Sequence, residues 1–237
     1  MTRISVVVLL LAVSFSSSFA QQGSASTQTN RPSQPDLKGD IQLDFGMNMW
    51  SEDAERLRLD IWKSQSFGAY YNRMFKLTDR ITFNPAAGLG FEKYAFNDDF
   101  TWLPDAQGII SFDTLTGVQL TKNKLQTTYF EIPLELRFYP FKTVTGEGFF
   151  VSVGAIAGAR INTVAKIKYP AGSGEVKNKL NQRLGVHDYR YGAQFRLGWR
   201  SFHVYYKYYL SNLFDGSPDG SGISPTTSTF GFTFSGF

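Results

Sequence analysis

The sequence predicts an all-β fold, an eight-stranded antiparallel up-and-down transmembrane β-barrel. Three observations support this. Apolar and polar residues alternate with a period of two in eight segments, which is typical of strands with two unlike faces. Nearly all the glycines of these segments fall on the polar face, and the connections alternate between short and long. A polar interior, an apolar exterior and short turns at one end are features of outer-membrane barrels.

The alternation gives the position of each strand. In the first strand Leu43 and Phe45 flank Asp44. In the second strand Tyr70 and Tyr71 are adjacent, which leaves its facing open. The predicted strands cover residues 39–50, 61–75, 81–95, 126–139, 149–167, 187–200, 202–210 and 226–237.

The third and fourth strands give the clearest signals. In the third, Leu89 lies between Gly88 and Gly90. In the fourth, Pro133 lies mid-strand and cannot donate to the ladder, so we expect a bulge or a missing hydrogen bond there. The apolar positions of the fourth strand are Phe130, Ile132, Leu134, Leu136 and Phe138.

The last four strands repeat the pattern with more aromatic residues. Because Phe237 is out of phase with Phe234, we expect a bend at Ser235 and Gly236. Aromatic residues near strand ends are typical of interfacial girdles. The predicted girdle residues are Trp50, Trp62, Tyr70, Tyr71, Tyr169, Tyr189, Tyr191, Trp199, Phe202 and Phe237.

The connections indicate which end of the barrel is which. Short turns are predicted at 76–80, 140–148 and 200–201, and longer loops at 51–60, 96–125, 170–186 and 211–225. In outer-membrane barrels the short turns are periplasmic, so both ends of the barrel domain are expected on that side.

The polar face is predicted to line the lumen. A soluble ligand-binding barrel would show the same alternation, but an eight-stranded lumen holds little more than its own side chains. The bulky aromatic set must therefore face outwards. Charges of both signs then share the lumen, either as a functional site or as a structural network of ion pairs that fills the barrel. The predicted network comprises Asp44, Glu92, Glu131, Glu135, Arg137, Arg160, Asp188, Arg190, Arg196 and Lys207.

The N-terminal residues predict export. Residues 1–20 combine Arg3, a short apolar run and the small-x-small site ending at Ala20, which is typical of a cleaved signal peptide. Residues 21–37 lack periodicity and are expected to form a disordered periplasmic leader. The barrel domain is assigned to residues 38–237.

The composition excludes several classes of site. The chain has no cysteine and a net charge of +4. Its basic residues are scattered among acidic ones, so nucleic acid is not an expected partner. His187 and His203 are predicted at opposite ends of the barrel, which argues against a shared metal site. Ser201 beside His203 is a weak hint of a hydrolase. We expect no catalytic residue, metal or other cofactor.

Three segments resemble a known family. Residues 129–138, YFEIPLELRF, are similar to a strand of the PorT-like outer-membrane β-barrel domain, which is common in the Bacteroidota. Residues 149–158, FFVSVGAIAG, resemble its next, glycine-bearing strand, and residues 84–90, NPAAGLG, resemble its third-strand segment. The resemblance implies the fold and an outer-membrane location, and it supplies no catalytic residues.

The sequence therefore predicts an integral protein of a Gram-negative outer membrane. Its expected partners are outer-membrane lipid, the barrel insertion machinery and a protein partner bound through loop 96–125. The predicted role is non-enzymatic, structural or accessory. A small solute or ion pore and a lipid-modifying enzyme that uses His203 remain alternatives.

Overall fold

The computed structural model describes residues 39–50, 58–97, 100–104, 110–114, 120–141, 148–171, 174–215 and 224–236. The predicted signal peptide, the predicted leader and Phe237 lie outside the described residues. Among the described residues, no helix is long and apolar enough to cross a membrane. The strands are β1 Asp40–Trp50, β2 Gln65–Asn72, β3 Phe75–Lys76, β4 Ile81–Ala95, β5 Phe100–Pro104, β6 Ile110–Thr114, β7 Lys122–Phe138, β8 Phe149–Ala171, β9 Gly174–Leu180, β10 Tyr189–Trp199, β11 Phe202–Asn212 and β12 Thr226–Ser235.

Eight of these strands close a barrel. Their order is β1-β2-β4-β7-β8-β10-β11-β12, and each neighbouring pair is antiparallel. The ring closes where β12 pairs with β1, from Gln42 opposite Ser235 to Trp50 opposite Thr227. The predicted fold class, an all-β eight-stranded antiparallel up-and-down barrel, is confirmed. Closure gives each of these eight strands a paired neighbour on both sides.

The remaining strands lie outside the ring. β3 pairs with the start of β4, and β5 pairs with β6 as a hairpin within the connection between β4 and β7. β9 pairs with the far end of β8, beyond the point where β10 leaves it. Residues 174–180, predicted as loop, are therefore a strand that lengthens the barrel wall at its long-loop end.

The starts of β2 and β7 each differ from the predicted start by four residues. β2 begins at Gln65 rather than residue 61, because residues 61–63 form a turn in which the Ser64 amide donates to the Asp60 carbonyl at 2.9 Å. β7 begins at Lys122, four residues before the predicted start at 126, because β8 extends to Ala171 and pairs with it.

The structure settles the facing of β2 and the local effect of Pro133. Tyr70 is buried in the lumen, whereas Tyr71 is exposed on the outer wall. Beside Pro133, the ladder between β4 and β7 skips two pairs and resumes in the same register, so the proline interrupts the pairing without a bulge. The bulge of this region lies on β8, where Ile161 is the extra residue opposite β7.

The outer wall is apolar and the inner wall is polar. On β12, Phe230, Phe232 and Phe234 are exposed, whereas Thr229 and Thr233 are buried. The same alternation runs along β7 and β10. The expected orientation is therefore confirmed: the large apolar side chains face outwards and the charged side chains fill the interior.

Candidate functional site

The lumen is occupied by two groups of ion pairs. The first is centred on Arg196 of β10, which is fully buried. Its Nη1 lies 3.2 Å from Asp44 Oδ1, and its Nε donates to Glu135 Oε1 at 2.9 Å. Arg137 Nε donates to the other oxygen of Glu135 at 3.1 Å, and the Arg137 guanidinium lies over the Phe150 ring. Both carboxylates are therefore held by cations from other positions on the wall.

The second group is centred on Arg190. Its Nη2 lies 2.6 Å from Glu131 Oε1, and its Nη1 lies 2.9 Å from Glu92 Oε2. The guanidinium carbon lies 3.8 Å from the centroid of the Tyr129 ring and 4.2 Å from that of the Tyr209 ring. A guanidinium over two aromatic rings gains cation–π stabilisation beyond its ion pairs.

Lys207 and Tyr70 join the two groups. Lys207 Nζ lies 3.0 Å from Asp44 Oδ2 and donates to the Tyr70 hydroxyl at 3.1 Å. The Tyr70 hydroxyl in turn donates to Glu131. The network therefore runs from Asp44 in the first group to Glu131 in the second through one lysine and one phenol.

The network is balanced in charge. Four carboxylates, Asp44, Glu92, Glu131 and Glu135, face four cations, Arg137, Arg190, Arg196 and Lys207. Burial of a charge is tolerable when it is paired and hydrogen-bonded, and removal of one partner leaves a costly unpaired charge. The arrangement is thus suited to filling and fixing the lumen.

Small residues on the wall make room for these side chains. A Cβ atom on Gly90 of β4 would lie 2.7 Å from Glu131 Oε2, and one on Gly158 of β8 would lie 3.2 Å from Glu131 Cγ. Two of the glycines that mark the polar face in the sequence therefore lie where a side chain would displace Glu131.

Two predicted members do not join the network. Asp188 precedes the first residue of β10, and its side chain is 47% exposed. It pairs with Arg160, which lies on β8 beside the bulge at Ile161. Both residues have the predicted parity, but they lie one residue beyond the pairing of β8 with β10, which ends where Ala159 faces Tyr189.

The rim forms an exposed cluster of its own. Arg183 contacts both Asp188 and Asp215, and His187 Nδ1 lies 2.7 Å from Asp215 Oδ1. The hydrogen bond from Arg160 lowers the pKa of Asp188 below its usual value. These contacts tie the connection that precedes β10 to the end of β11.

An apolar cluster covers the long-loop end of the lumen, and the sequence did not reveal it. Leu184, Val186, Leu213 and Phe214 come from connections that lack strand periodicity. Trp50 stacks on Tyr94 within this cluster at a centroid distance of 5.2 Å. The buried members are Tyr94, Phe96, Leu125, Tyr129, Ala165, Ile167, Leu184, Val186, Leu213 and Phe214. We call these ten residues the apolar plug.

Three residues that were predicted to belong to the aromatic girdle lie inside the barrel instead. Trp50 and Tyr169 pack against the plug, and Tyr70 belongs to the lumen network. Their positions near strand ends suggested the membrane interface, but their side chains point inwards. The other described girdle residues are exposed: Tyr71, Tyr189, Tyr191, Trp199 and Phe202 on the barrel strands, and Trp62 in the turn before β2.

His203 lies at the short-turn end of the lumen, far from the rim where His187 pairs with Asp215. Its Nε2 is 2.9 Å from the Arg200 carbonyl oxygen and 3.4 Å from Ser235 Oγ. Because a carbonyl only accepts, Nε2 carries the proton and has no lone pair with which to deprotonate Ser235. The serine that lies beside the ring is Ser235 and not the predicted Ser201. With the proton on Nε2, His203 does not activate this serine as a nucleophile.

The described part of the chain contains no group of three or more His, Cys, Asp or Glu residues that could hold a metal ion. No protein-family model matches the chain, and no curated protein matches it.

Several solved barrels are similar in structure. Ail, the attachment invasion locus protein of Yersinia pestis, shares 13% identity over 84% of this chain and 100% of its own, with a TM-score of 0.37. The N-terminal β-barrel domain of Pseudomonas aeruginosa OprF shares 11% identity over 84% and 98%, with a TM-score of 0.32. A Rhodopseudomonas blastica porin mutant shares 11% over 84% and 99%, with a TM-score of 0.21. Similarities this low assign no function, and the fold rests on the strand pairings above.

Proposed function

We propose that this protein is an integral outer-membrane β-barrel with a non-enzymatic role as a scaffold or binding partner. The observation that supports it is the combination of a balanced, buried charge network inside the barrel with a belt of large apolar side chains outside it. In water such a belt would be a large aggregating surface. In a bilayer it is the surface that acyl chains cover.

The closed lumen favours a scaffold over a conduit. The ion-pair network and the apolar plug occupy successive levels of the interior, so side chains fill the space through which a solute would pass. We propose in addition that residues 1–20 are a cleaved signal peptide, which would export the chain, and that the barrel belongs to the PorT-like family, whose resemblance implies an outer-membrane location.

Insertion is tested by electrophoresis of the full chain refolded in detergent or in vesicles. A folded barrel retains its structure in the detergent of the gel and migrates differently before and after boiling. We expect this shift, together with resistance of the barrel strands to protease in vesicles. A chain that is soluble without detergent and migrates identically in both lanes would contradict the proposal.

The partner surface is assigned to the connection between β4 and β7. Ala95 pairs with Lys124, so the two strand ends adjoin and a short link can replace the residues between them. We expect that replacing residues 98–119 with a Gly-Ser turn, which spares Phe96 and Leu120, leaves the heat shift intact and abolishes co-purification of a partner. As a control, the same Gly-Ser turn replaces residues 216–222 in the last long connection. Partners retained without 98–119 would overturn this part of the proposal.

A further inference from the structure

Beyond the barrel, the ends of β7 and β8 form a three-stranded sheet with β9, in which lysines pair with lysines. Lys122 pairs with Lys168, which pairs with Lys177. Because directly paired residues project to the same face of a sheet, each row presents three lysines side by side. The second row consists of Lys124, Lys166 and Lys179. Alternate residues share a face, so all six lysines lie together; we call them the lysine face.

The opposite face of this sheet is fixed in the protein. Leu125, Ala165 and Ile167 alternate with the lysines and are buried in the apolar plug. Leu180 of β9 packs against the same cluster. Since strand side chains alternate between two faces, burial of these residues holds the lysine face outwards, on the continuation of the outer wall.

The lysine face concentrates charge of one sign. The chain has twelve lysines, and half of them lie on this small sheet. Like charges directly opposite each other destabilise a sheet. Among the described residues, Glu175 supplies the carboxylate that pairs with a lysine of this face, at 2.9 Å from Lys168 Nζ. The other five lysines lack such a partner within the described chain, which makes the face suited to external anions.

The lysine face is continuous with the apolar belt. Along β7 the outward positions pass from Phe130 through Thr128 and Gln126 to Lys124. At about 3.3 Å per residue, Lys124 lies about 20 Å along the strand from Phe130, and the strand tilt reduces the height to about 15 Å. Lysine stems extend towards an interface with their ammonium groups in the polar layer. The lysine face therefore borders the headgroup region of a leaflet.

A cleft in the outer wall adjoins this region. It has a volume of about 720 Å³, and its lining includes Phe67, Phe91 and Trp62 together with Lys93. Lys93 is the next outward residue after Phe91 on β4, and it pairs with Gln126 of β7. An apolar cleft with a cation at this position fits an acyl chain below a phosphate group.

We propose that the lysine face binds the phosphate groups of acylated, phosphorylated lipids in the leaflet at the long-loop end of the barrel. The inference rests on the proposed membrane location. The lysine face adjoins the apolar belt, which favours a lipid phosphate over free phosphate. The acyl chains of a lipid would lie against the belt and keep its phosphate at the level of the lysines, whereas free phosphate has no such anchor. The lysines then offset their mutual repulsion by sharing the phosphates between rows.

The test uses the full chain folded in neutral detergent, with three probes: lipid A carrying its phosphates, dephosphorylated lipid A, and inorganic phosphate. The readout is the probe concentration that gives half of the maximal rise in unfolding temperature, since a ligand that binds only the folded state stabilises it. We expect the phosphorylated lipid to act at the lowest concentration, and its effect to weaken with added salt.

The matched variants are Lys124→Gln with Lys166→Gln on the face, and Lys76→Gln with Arg80→Gln at the turn before β4, at the short-turn end of the barrel. We expect the first pair to raise the required lipid concentration about fivefold per lysine removed, and the second pair to leave it unchanged. Because the first pair removes facing like charges, its folding without lipid should be at least as good as that of the wild type. Should that pair fail to fold, Lys122→Gln with Lys177→Gln, both exposed, replaces it.

The outcomes separate this inference from the proposed function. A chain with no heat-shifted band in neutral detergent contradicts the membrane barrel itself. A folded barrel that responds equally to both forms of lipid A, or whose lysine variants respond like the wild type, contradicts the lysine face alone. Inorganic phosphate acting at the same concentration as the lipid would show an anion site without lipid selectivity, and would also overturn the proposal.

Discussion

Arg196 and Asp44 form a two-point contact across the lumen. Nη1 lies 3.2 Å from Oδ1 and Nη2 lies 3.3 Å from Oδ2, and the two residues are 152 positions apart in the chain. They belong to β10 and β1, which are separated in the barrel by β11 and β12. The contact therefore links opposite parts of the wall and forms only when the barrel closes.

Replacing Arg196 with methionine is expected to destabilise the folded barrel by about 3–5 kcal/mol, because Asp44 and Glu135 would be left buried with one cation fewer. The measurement is the free energy of unfolding in detergent, from urea titration monitored by the heat-shifted band. The exposed pair between Lys76 and Asp79 offers a control. We expect Lys76→Met to have little effect. Equal decreases of the unfolding free energy in the two variants would show that the buried network stabilises the barrel no more than an exposed ion pair does.

The period of the sequence was sufficient to predict the eight strands and the two faces of each strand. Parity places Asp44 and Arg196 on the polar face, and the small volume of an eight-stranded lumen assigns that face to the interior. Parity does not say which charges meet, because the contacts depend on the stagger of the strands around the barrel. The partners of Arg196 therefore became visible only in the closed structure.

The ends of the barrel were harder to predict. Leu184 and Val186 lie in a connection without periodicity, so no pattern predicted their burial in the apolar plug. Asp188 has the parity of a lumen residue but lies beyond the last paired residue of its strand. In both places the structure depends on contacts between connections that are distant in sequence, and local alternation carries no information about them.

A charge placed on the outer wall tests whether acyl chains cover that wall. Leu134 lies in the middle of the outward series of β7 and is exposed. If acyl chains cover this position, Leu134→Lys should cost about 2–4 kcal/mol in vesicles. Leu77 is also exposed, but it lies in the turn before β4. There the same change should cost about 0–1 kcal/mol. The comparison is the unfolding free energy of both variants in phospholipid vesicles; similar values would place β7 outside the bilayer.

The rim cluster predicts a pH effect. Arg160 lowers the pKa of Asp188, so the carboxylate stabilises the folded state at pH values above its ordinary pKa. This contribution is lost as the pH falls through the lower pKa of the folded state. We expect wild-type protein and Asp188→Asn to differ in unfolding temperature at neutral pH, and the difference to shrink on acidification below pH about 4. A difference that is constant from neutral to acidic pH would contradict the ion pair.

The filled lumen predicts an electrically silent barrel. Arg190 and Glu131 occupy the interior below the apolar plug, and the Arg190 guanidinium lies over the rings of Tyr129 and Tyr209. An eight-stranded lumen has no further width for a water column beside such side chains. We therefore expect no stepwise conductance when the folded protein is added to a planar bilayer, although protease protection in parallel vesicles shows that it has inserted. Reproducible unitary steps from inserted wild-type protein would mean that the network opens, and the pore alternative would then replace the scaffold.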